Sequence, residues 1–279
     1  MPEGLFMQTP KSILLHLDSS VRAAERVKVA CRLADDFDAQ VICMSCTMSA
    51  LMRYPFALEG AAQAISIMQE LDKECRDKAF ATFVAAGAGS PRLTWAEPLA
   101  DAPWGFVRRA LYADLMILGQ RDPDDPAAGE LPADFLPSLL VDSGRPALIL
   151  PYAGAIAPIG RTVLVAWKET REAARAVSAA LPWLRNANHV HVVCYGESAR
   201  ESLHALQGYL EVQGISATLH PGGPEQGDAG SNLLSMAADL GADLLVMGCY
   251  GHSRAREWVW GGATHTILQS MTLPVLMSH

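Results

Sequence analysis

The sequence predicts an α/β protein built from one parallel-sheet unit that occurs twice. Short, uninterrupted apolar runs alternate with alanine-rich segments of helical character, and the whole order repeats in the second half of the chain. Uninterrupted apolar strands are typical of parallel sheets that helices cover on both faces. Parallel strands that are joined through helices take right-handed crossovers. The predicted class is therefore a parallel sheet flanked by helices, present in two copies.

The beginnings of the two copies align directly. Residues 12–20 and residues 162–170 are both short apolar runs that end in polar residues. An alanine-rich stretch of helical character follows each of them, over residues 21–37 and 171–184, and a further apolar run comes next. Each copy therefore begins with a strand, a helix and a second strand.

The last two strands of the copies match as well. Residues 112–119 match residues 241–248 almost position by position, and residues 144–150 match residues 271–277. A proline stands at the entrance of the final strand in both copies, where its missing N–H is tolerated. The repeat thus extends over the whole of each copy.

The length of the chain and the repeat predict two domains. A chain of 279 residues is long enough for two domains that each bury their own core. The matches place these domains at residues 10–152 and 160–279, with a short linker rich in proline and glycine between them.

Composition and charge narrow the class of function. Half of the residues are hydrophobic and 19% are charged, which is typical of a globular protein. A formal net charge of -8 provides no basic field, so nucleic acid is not a predicted partner. The N-terminal segment lacks a signal-peptide pattern, and no stretch approaches the roughly 18 apolar residues of a membrane span. We predict a cytoplasmic protein that binds neither nucleic acid nor membrane.

Cysteine and histidine spacing predicts no metal site. Cys43 and Cys46 form a C-x-x-C pair, but there is no second Cys or His pair, and all six cysteines are interpreted as reduced and structural. His189 and His191 face the same side of one strand without an obvious third ligand. No hydrolase or P-loop motif occurs either. We therefore predict no catalytic residue.

The candidate site lies where the strands end, because open parallel sheets bind ligands beyond their C-terminal ends. These positions are Asp18 and Gly119 in the first copy and Lys168 and Gly248 in the second. A glycine-rich loop and the beginning of a helix follow the last of these. Such glycines let the backbone approach a ligand, and the N-terminus of a helix favours phosphate, although glycine also serves turn geometry and helix capping. The candidate loop residues are Gly248, Gly251, His252, Ser253, Gly261, Gly262, Ala263 and Thr264.

The loop spacing Gly248-x2-Gly251-x9-Gly261 is similar to the signature of the universal stress protein family. The resemblance covers nearly the whole chain as two tandem domains. It implies that each domain is a five-stranded parallel sheet between helices, the adenine nucleotide alpha hydrolase-like fold. It also implies ATP, with Mg²⁺, over the strand ends of one domain, with these three glycines around the phosphates. Val190, at the start of the second strand, matches a position whose backbone contacts adenine.

Two residues of the second copy depart from the family pattern. Lys168 stands where ATP-binding members have an aspartate, and Gly262 stands where the family has serine or threonine. A lysine pairs with phosphate as a point charge, but it cannot accept hydrogen bonds as an aspartate does. Thr264, two residues further on, supplies a hydroxyl.

The first copy departs in the opposite way. It keeps Asp18, but residues 120–126 contain three aspartates and two prolines in place of the loop glycines. These changes remove N–H donors and add charge that repels phosphate. We predict that this copy is a degenerate partner that binds no ATP.

The residues and the resemblance together predict a cytoplasmic tandem universal stress protein. Its expected role is a stress or regulatory binding protein that responds to an adenine nucleotide, with Lys168 and Val190 added to the loop residues of the second domain. The alternative is a structural module with no nucleotide in either domain, whose partner is another protein or a second copy of the chain. An enzyme, at best a slow ATPase, is less favoured because no positioned general base is visible.

Overall fold

The computed structural model of the chain describes residues 9–55, 62–87, 89–154, 158–223, 227–251 and 262–279. The chain divides into two compact units, of which the first is Pro10–Arg145 and the second contains Pro146–His279. The predicted domain ranges of 10–152 and 160–279 stay a prediction, because the last apolar run of the first copy lies in the second unit.

The described part of the first unit is a parallel sheet with helices around it. The strand order is β3-β2-β1-β4, and each neighbouring pair is parallel. Five of the six β1 residues are buried, as expected for a strand covered on both faces. The strands are β1 (Ser12–Leu17), β2 (Gln40–Ser45), β3 (Leu93–Ala96) and β4 (Leu115–Gly119). The α-helices are α1 (Ala23–Phe37), α2 (Ala50–Arg53), α3 (Ala62–Gly87), α4 (Trp104–Ala110) and α5 (Phe135–Asp142).

The second unit contains the five-stranded parallel sheet that the sequence predicts. The order of its parallel strands is β10-β9-β6-β7-β8. These strands are β6 (Thr162–Ala166), β7 (His189–Cys194), β8 (Thr218–Pro221), β9 (Leu244–Gly248) and β10 (Val275–Ser278). The helices are α6 (Arg171–Leu184), α7 (Ala199–Val212), α8 (Ala229–Asp239) and α9 (Ala263–Ser270). Within the described residues of the whole chain, none of the helices combines the length and the apolar character that crossing a membrane requires.

One strand departs from the expectation of purely parallel sheets. Strand β5 (Ala147–Leu150) runs antiparallel to β10, with Leu148 opposite Leu276. All four β5 residues are buried. The pairing occupies main-chain groups of β10 that an edge strand would leave exposed. The α/β class with a mostly parallel sheet is confirmed, and β5 is the antiparallel exception.

A repeated aspartate explains why the fourth strands of the two copies match so closely. The carboxylate of Asp114 accepts hydrogen bonds from the backbone N–H groups of Lys11, at 2.9 Å, and Ser12, at 3.0 Å. Asp243 accepts from the corresponding N–H groups of Arg161, at 3.0 Å, and Thr162, at 3.3 Å. Each aspartate thus ties the entrance of its fourth strand to the entrance of the first.

Candidate functional site

A cleft of about 390 Å³ opens at the C-terminal ends of β6, β7 and β9 in the second unit. The strand order reverses between β6 and β9, which is where open parallel sheets hold ligands. The volume falls within the range of small-molecule sites. The beginnings of α6, α8 and α9 complete the walls. The lining residues include Trp167, Lys168, Thr170, Glu172, Ala173, Val193, Tyr195, Gly248, Tyr250, Gly251, Gly262, Ala263 and Thr264.

The cleft gathers most of the described residues that the sequence predicts for the site. Val190 is not among them, because it is buried at the beginning of β7, beside Val163, while the cleft meets the other end of that strand at Val193. The contact between Val190 and adenine therefore stays a prediction. The predicted residues that line the cleft are Lys168, Gly248, Gly251, Gly262, Ala263 and Thr264. Outside the described residues lie His252, Ser253 and Gly261.

Gly248 and Gly251 differ in what a side chain would meet. A Cβ atom on Gly248 would lie 2.5 Å from the backbone nitrogen of Ala173 and 2.7 Å from the carbonyl carbon of Glu172. A Cβ atom on Gly251 would meet the carboxylate of Glu172, with 3.3 Å to Oε2. Gly248 is therefore required where α6 packs against the end of β9, whereas Gly251 borders the open cleft.

The beginning of α9 brings donors to the edge of the cleft. Gly262 precedes the helix, and its carbonyl accepts the His265 N–H at 2.8 Å. The first N–H groups of an α-helix have no partner within the helix. The Oγ1 of Thr264 accepts the Tyr250 N–H at 3.4 Å, and a hydroxyl that accepts one hydrogen bond can also donate one. The first N–H groups of α9, at Ala263 and Thr264, together with the Thr264 hydroxyl, therefore offer donors suited to an anion.

The cleft combines a cation with a carboxylate. Across the part of the chain that the structure describes, no carboxylate lies within 4.0 Å of the Lys168 ammonium, which is exposed. The buried Glu172 pairs with Arg171, with 2.5 Å between Nε and Oε1. Burial is the largest influence and raises the pKa of Glu172, but the hydrogen bond and charge of Arg171 and the hydrogen bonds from the Glu172 N–H and Thr170 together lower it below its usual value. Glu172 is therefore ionised at neutral pH.

Two aromatic side chains form the wall at the ends of β6 and β7. The Nε1 of Trp167 donates to Ser202 Oγ at 2.9 Å, which fixes the indole ring at the cleft. The ring of Tyr195 packs so closely on Gly222 that a Cβ there would lie 2.4 Å from the ring. Aromatic rings in such positions offer flat apolar surface to a planar ligand.

The corresponding strand end of the first unit is filled by the protein itself. Asp18 forms a buried ion pair with Arg26, and it accepts the Ser20 N–H at 3.1 Å. A Cβ atom on Gly119 would collide with the Arg26 guanidinium. Burial raises the pKa of Asp18, but Arg26, with His16 and Ser20, holds it at about 2. An arginine therefore lies against the glycine at the end of β4.

His16 provides a pH-dependent test of this filled core. Its Nε2 lies 3.1 Å from the Cys46 carbonyl oxygen, and burial is the largest cause that lowers the pKa of His16 from 6.5 to about 4. Between pH 6.5 and pH 4 the His16 ring is therefore protonated in the unfolded chain but neutral in the folded chain. The free energy of unfolding is highest above pH 6.5 and falls towards pH 4. A difference of one pKa unit between the folded and unfolded chain corresponds to about 1.4 kcal/mol. We therefore expect the free energy of unfolding to fall by roughly 3 kcal/mol between pH 6.5 and pH 4.

Urea unfolding at a series of pH values measures this loss. The variant His16→Gln removes the titrating ring and is expected to flatten the profile between pH 6.5 and 4. His204→Gln, which changes an exposed histidine of α7, should leave the profile unchanged. An unaltered profile in His16→Gln would show that another group causes the loss.

The comparisons with known proteins agree with this fold. Residues 197–279 match the model of the universal stress protein family. A universal stress protein from Archaeoglobus fulgidus DSM 4304 superposes with a TM-score of 0.70 at 16% identity, covering 97% of this chain and 96% of that one. A functionally unknown protein from Pseudomonas aeruginosa PAO1 gives 0.61 at 17% identity, covering 97% and 93%.

A solved universal stress protein in complex with cAMP is 21% identical, with a TM-score of 0.38, and the match covers 44% of this chain and 98% of that one. No curated protein matches the chain.

The fold and the cleft define a mostly parallel α/β protein with a cleft at the strand ends of the second unit. This fold is similar, over nearly the whole chain, to that of the A. fulgidus universal stress protein. Residues 197–279 of the second unit match the universal stress protein model, so the resemblance predicted from the glycine loop is confirmed.

Proposed function

We propose that the second unit binds an adenine nucleotide in its strand-end cleft, and that the chain is a cytoplasmic binding protein that responds to this nucleotide. The supporting observation is the meeting of Lys168, Gly251 and the beginning of α9 around one cleft. A nucleotide that binds one conformation more tightly than another shifts the population toward that conformation. The regulatory role follows from such a shift.

The phosphate groups belong on the side of the cleft where donors and positive charge are concentrated. Lys168 supplies a cation that no described carboxylate neutralises, and the N–H groups of Ala263 and Thr264 supply donors. Lysine serves phosphate as a point charge, and it replaces the aspartate that the family pattern has at this position. An ammonium tied into a protein salt bridge would have favoured the purely structural alternative.

The base belongs against the aromatic wall. Trp167 and Tyr195 lie at the ends of adjacent strands, and Val193 and Leu233 add apolar surface beside them. A planar heterocycle gains from both burial and ring stacking at such a wall. This arrangement orients the nucleotide with its phosphates toward Gly251 and α9.

The residues present also fit a Mg²⁺ ion bound with ATP. Proteins usually hold Mg²⁺ by one or two carboxylates together with the phosphates of the substrate. Glu172 is ionised, lines the cleft and faces Gly251, so it is the residue that would hold the ion. The ion would neutralise the repulsion between this carboxylate and the phosphates.

Isothermal titration calorimetry with Mg²⁺ and ATP tests the proposal through Gly251→Asp. The added carboxylate would lie beside Glu172 and would repel phosphate, so we expect the affinity to fall at least about tenfold, or about 1.4 kcal/mol. The matched control is Gly129→Asp, the same change at a glycine of the first unit with open space around it.

The two variants carry the same change in net charge, so any general electrostatic effect on ATP is common to both. Equal affinities in the native chain and Gly251→Asp would overturn the proposal. Native protein that binds no ATP would support the alternative, a module that binds a protein partner or a second copy of the chain.

A further inference from the structure

Three histidines come together on the outer strands of the second sheet. His191 lies on β7 and His220 on β8, the last strand in the order, and 3.1 Å separates His191 Nδ1 from His220 Nε2. The His189 ring stacks on that of His191, with 6.4 Å between the centroids. None of the three lines the nucleotide cleft.

The register explains why these rings share one face. Residues two apart on a strand point to the same side, which places His189, His191 and Val193 together. Val193 is opposite His220 in the parallel pairing of β7 with β8. The sequence shows the first two histidines as an alternating pair, but the partner from β8 is 29 residues away from His191 along the chain.

We propose that His191 and His220 form a binding site for a divalent transition metal ion of the Zn²⁺ type. Zn–N bonds of about 2.0–2.1 Å at angles near 90–109° place two ligating nitrogens roughly 2.8–3.4 Å apart. The observed 3.1 Å lies within this range, so rotation of the rings is sufficient to direct both nitrogens at one ion. Imidazole nitrogen is a suitable ligand for zinc, copper and nickel.

The protonation state of His191 also suits a metal ion. Metal binding requires neutral imidazole. Burial, followed by the neighbouring His220 and His189 rings, lowers the pKa of His191, so this ring is neutral at neutral pH. Both His191 and His220 are partly exposed, which leaves a path from solvent.

The site is one with open coordination positions. Among the residues that the structure describes, no group of three or more His, Cys, Asp or Glu side chains is placed to hold a metal ion. Two imidazoles therefore bind the ion and water completes the coordination, unlike the four protein ligands of structural zinc sites. An ion held by only two protein ligands dissociates into solvent more readily than the ion of a structural zinc site.

Titration calorimetry of the full chain with ZnCl₂, under a thiol-free reductant that keeps the cysteines reduced, tests the site. We expect one Zn²⁺ per chain, and His191→Gln or His220→Gln should each lower the affinity at least about tenfold. The control His204→Gln, on the exposed side of α7, should bind Zn²⁺ as the native chain does. Native-like affinity in both His191→Gln and His220→Gln would overturn the proposal.

Imidazole ¹⁵N NMR of the native chain supplies a measurement that does not depend on any variant. The resonances of His191 Nδ1 and His220 Nε2 should both move when Zn²⁺ is added. Resonances that stay in place while Zn²⁺ binds elsewhere, or a native chain that binds no Zn²⁺, would show that the two rings only share a hydrogen bond. Because the pair lies outside the nucleotide cleft, neither result depends on ATP binding.

Discussion

Asp18→Asn is expected to lower the free energy of unfolding of the first unit by about 3–5 kcal/mol. The substitution removes one member of a buried pair and leaves the Arg26 guanidinium, which is 4% exposed, without its counter-charge. Hydrogen exchange of the β1 and β4 amides measures the effect locally, since these strands flank the pair. Amides of the second unit should exchange as in the native chain.

Two further variants identify the cause of this destabilisation. Asp18→Asn combined with Arg26→Met removes both charges and should recover most of the lost stability, because a buried pair is often no better than apolar packing. Asp38→Asn breaks the exposed contacts of Asp38 with Lys11 and Arg92 and should cost far less than Asp18→Asn, because solvent screens exposed pairs. Equal costs for Asp18→Asn and Asp38→Asn would contradict the assignment of a buried, filled site.

Gly248→Ala is expected to destabilise the second unit by about 3 kcal/mol and to weaken nucleotide binding at least about tenfold. The new Cβ would collide with the backbone of Ala173, which no side-chain rotation can relieve. The beginning of α6 would move, and Thr170, Glu172 and Ala173 line the cleft. Chemical unfolding and ATP calorimetry on the same preparations measure both effects.

Gly251→Ala is the matched control for this prediction. Its Cβ would meet the end of the Glu172 side chain at 3.3 Å, and that side chain can shift. We expect the free energy of unfolding to fall by less than about 1 kcal/mol, as for most surface substitutions. Similar costs at both glycines would show that the packing of α6 on β9 does not explain Gly248.

The sequence predicted the elements whose signal is local. The apolar runs at residues 12–17 and 162–166 became β1 and β6, and the repeated Asp114 and Asp243 mark equivalent hydrogen bonds in the two units. The spacing that begins at Gly248 predicted the resemblance to the family whose model matches residues 197–279. Each of these features can be read within a short window of the chain.

The features that the sequence did not reveal depend on contacts between distant segments. Strand β5 pairs with β10 rather than completing a purely parallel sheet, and nothing in its four residues encodes that partner. Glu172 reaches the cleft only because α6 begins beside Gly248. A carboxylate in the first turn of the helix after the first strand was the available signal, but it resembled an ordinary helix-terminal acid. The position of Arg26 against Gly119 at the strand ends of the first unit could likewise be seen only in the structure.

In the proposed function, only the second unit of the chain binds a nucleotide. Native mass spectrometry of the full chain with Mg²⁺ and millimolar ATP is the most direct test of this proposal. One ATP per chain is predicted, with the bound form greatly reduced in Gly251→Asp and retained in Gly129→Asp. Two nucleotides per chain would show that Asp18 and Arg26 do not fill the first site. A native chain that stays free of nucleotide would contradict the assignment of the second cleft.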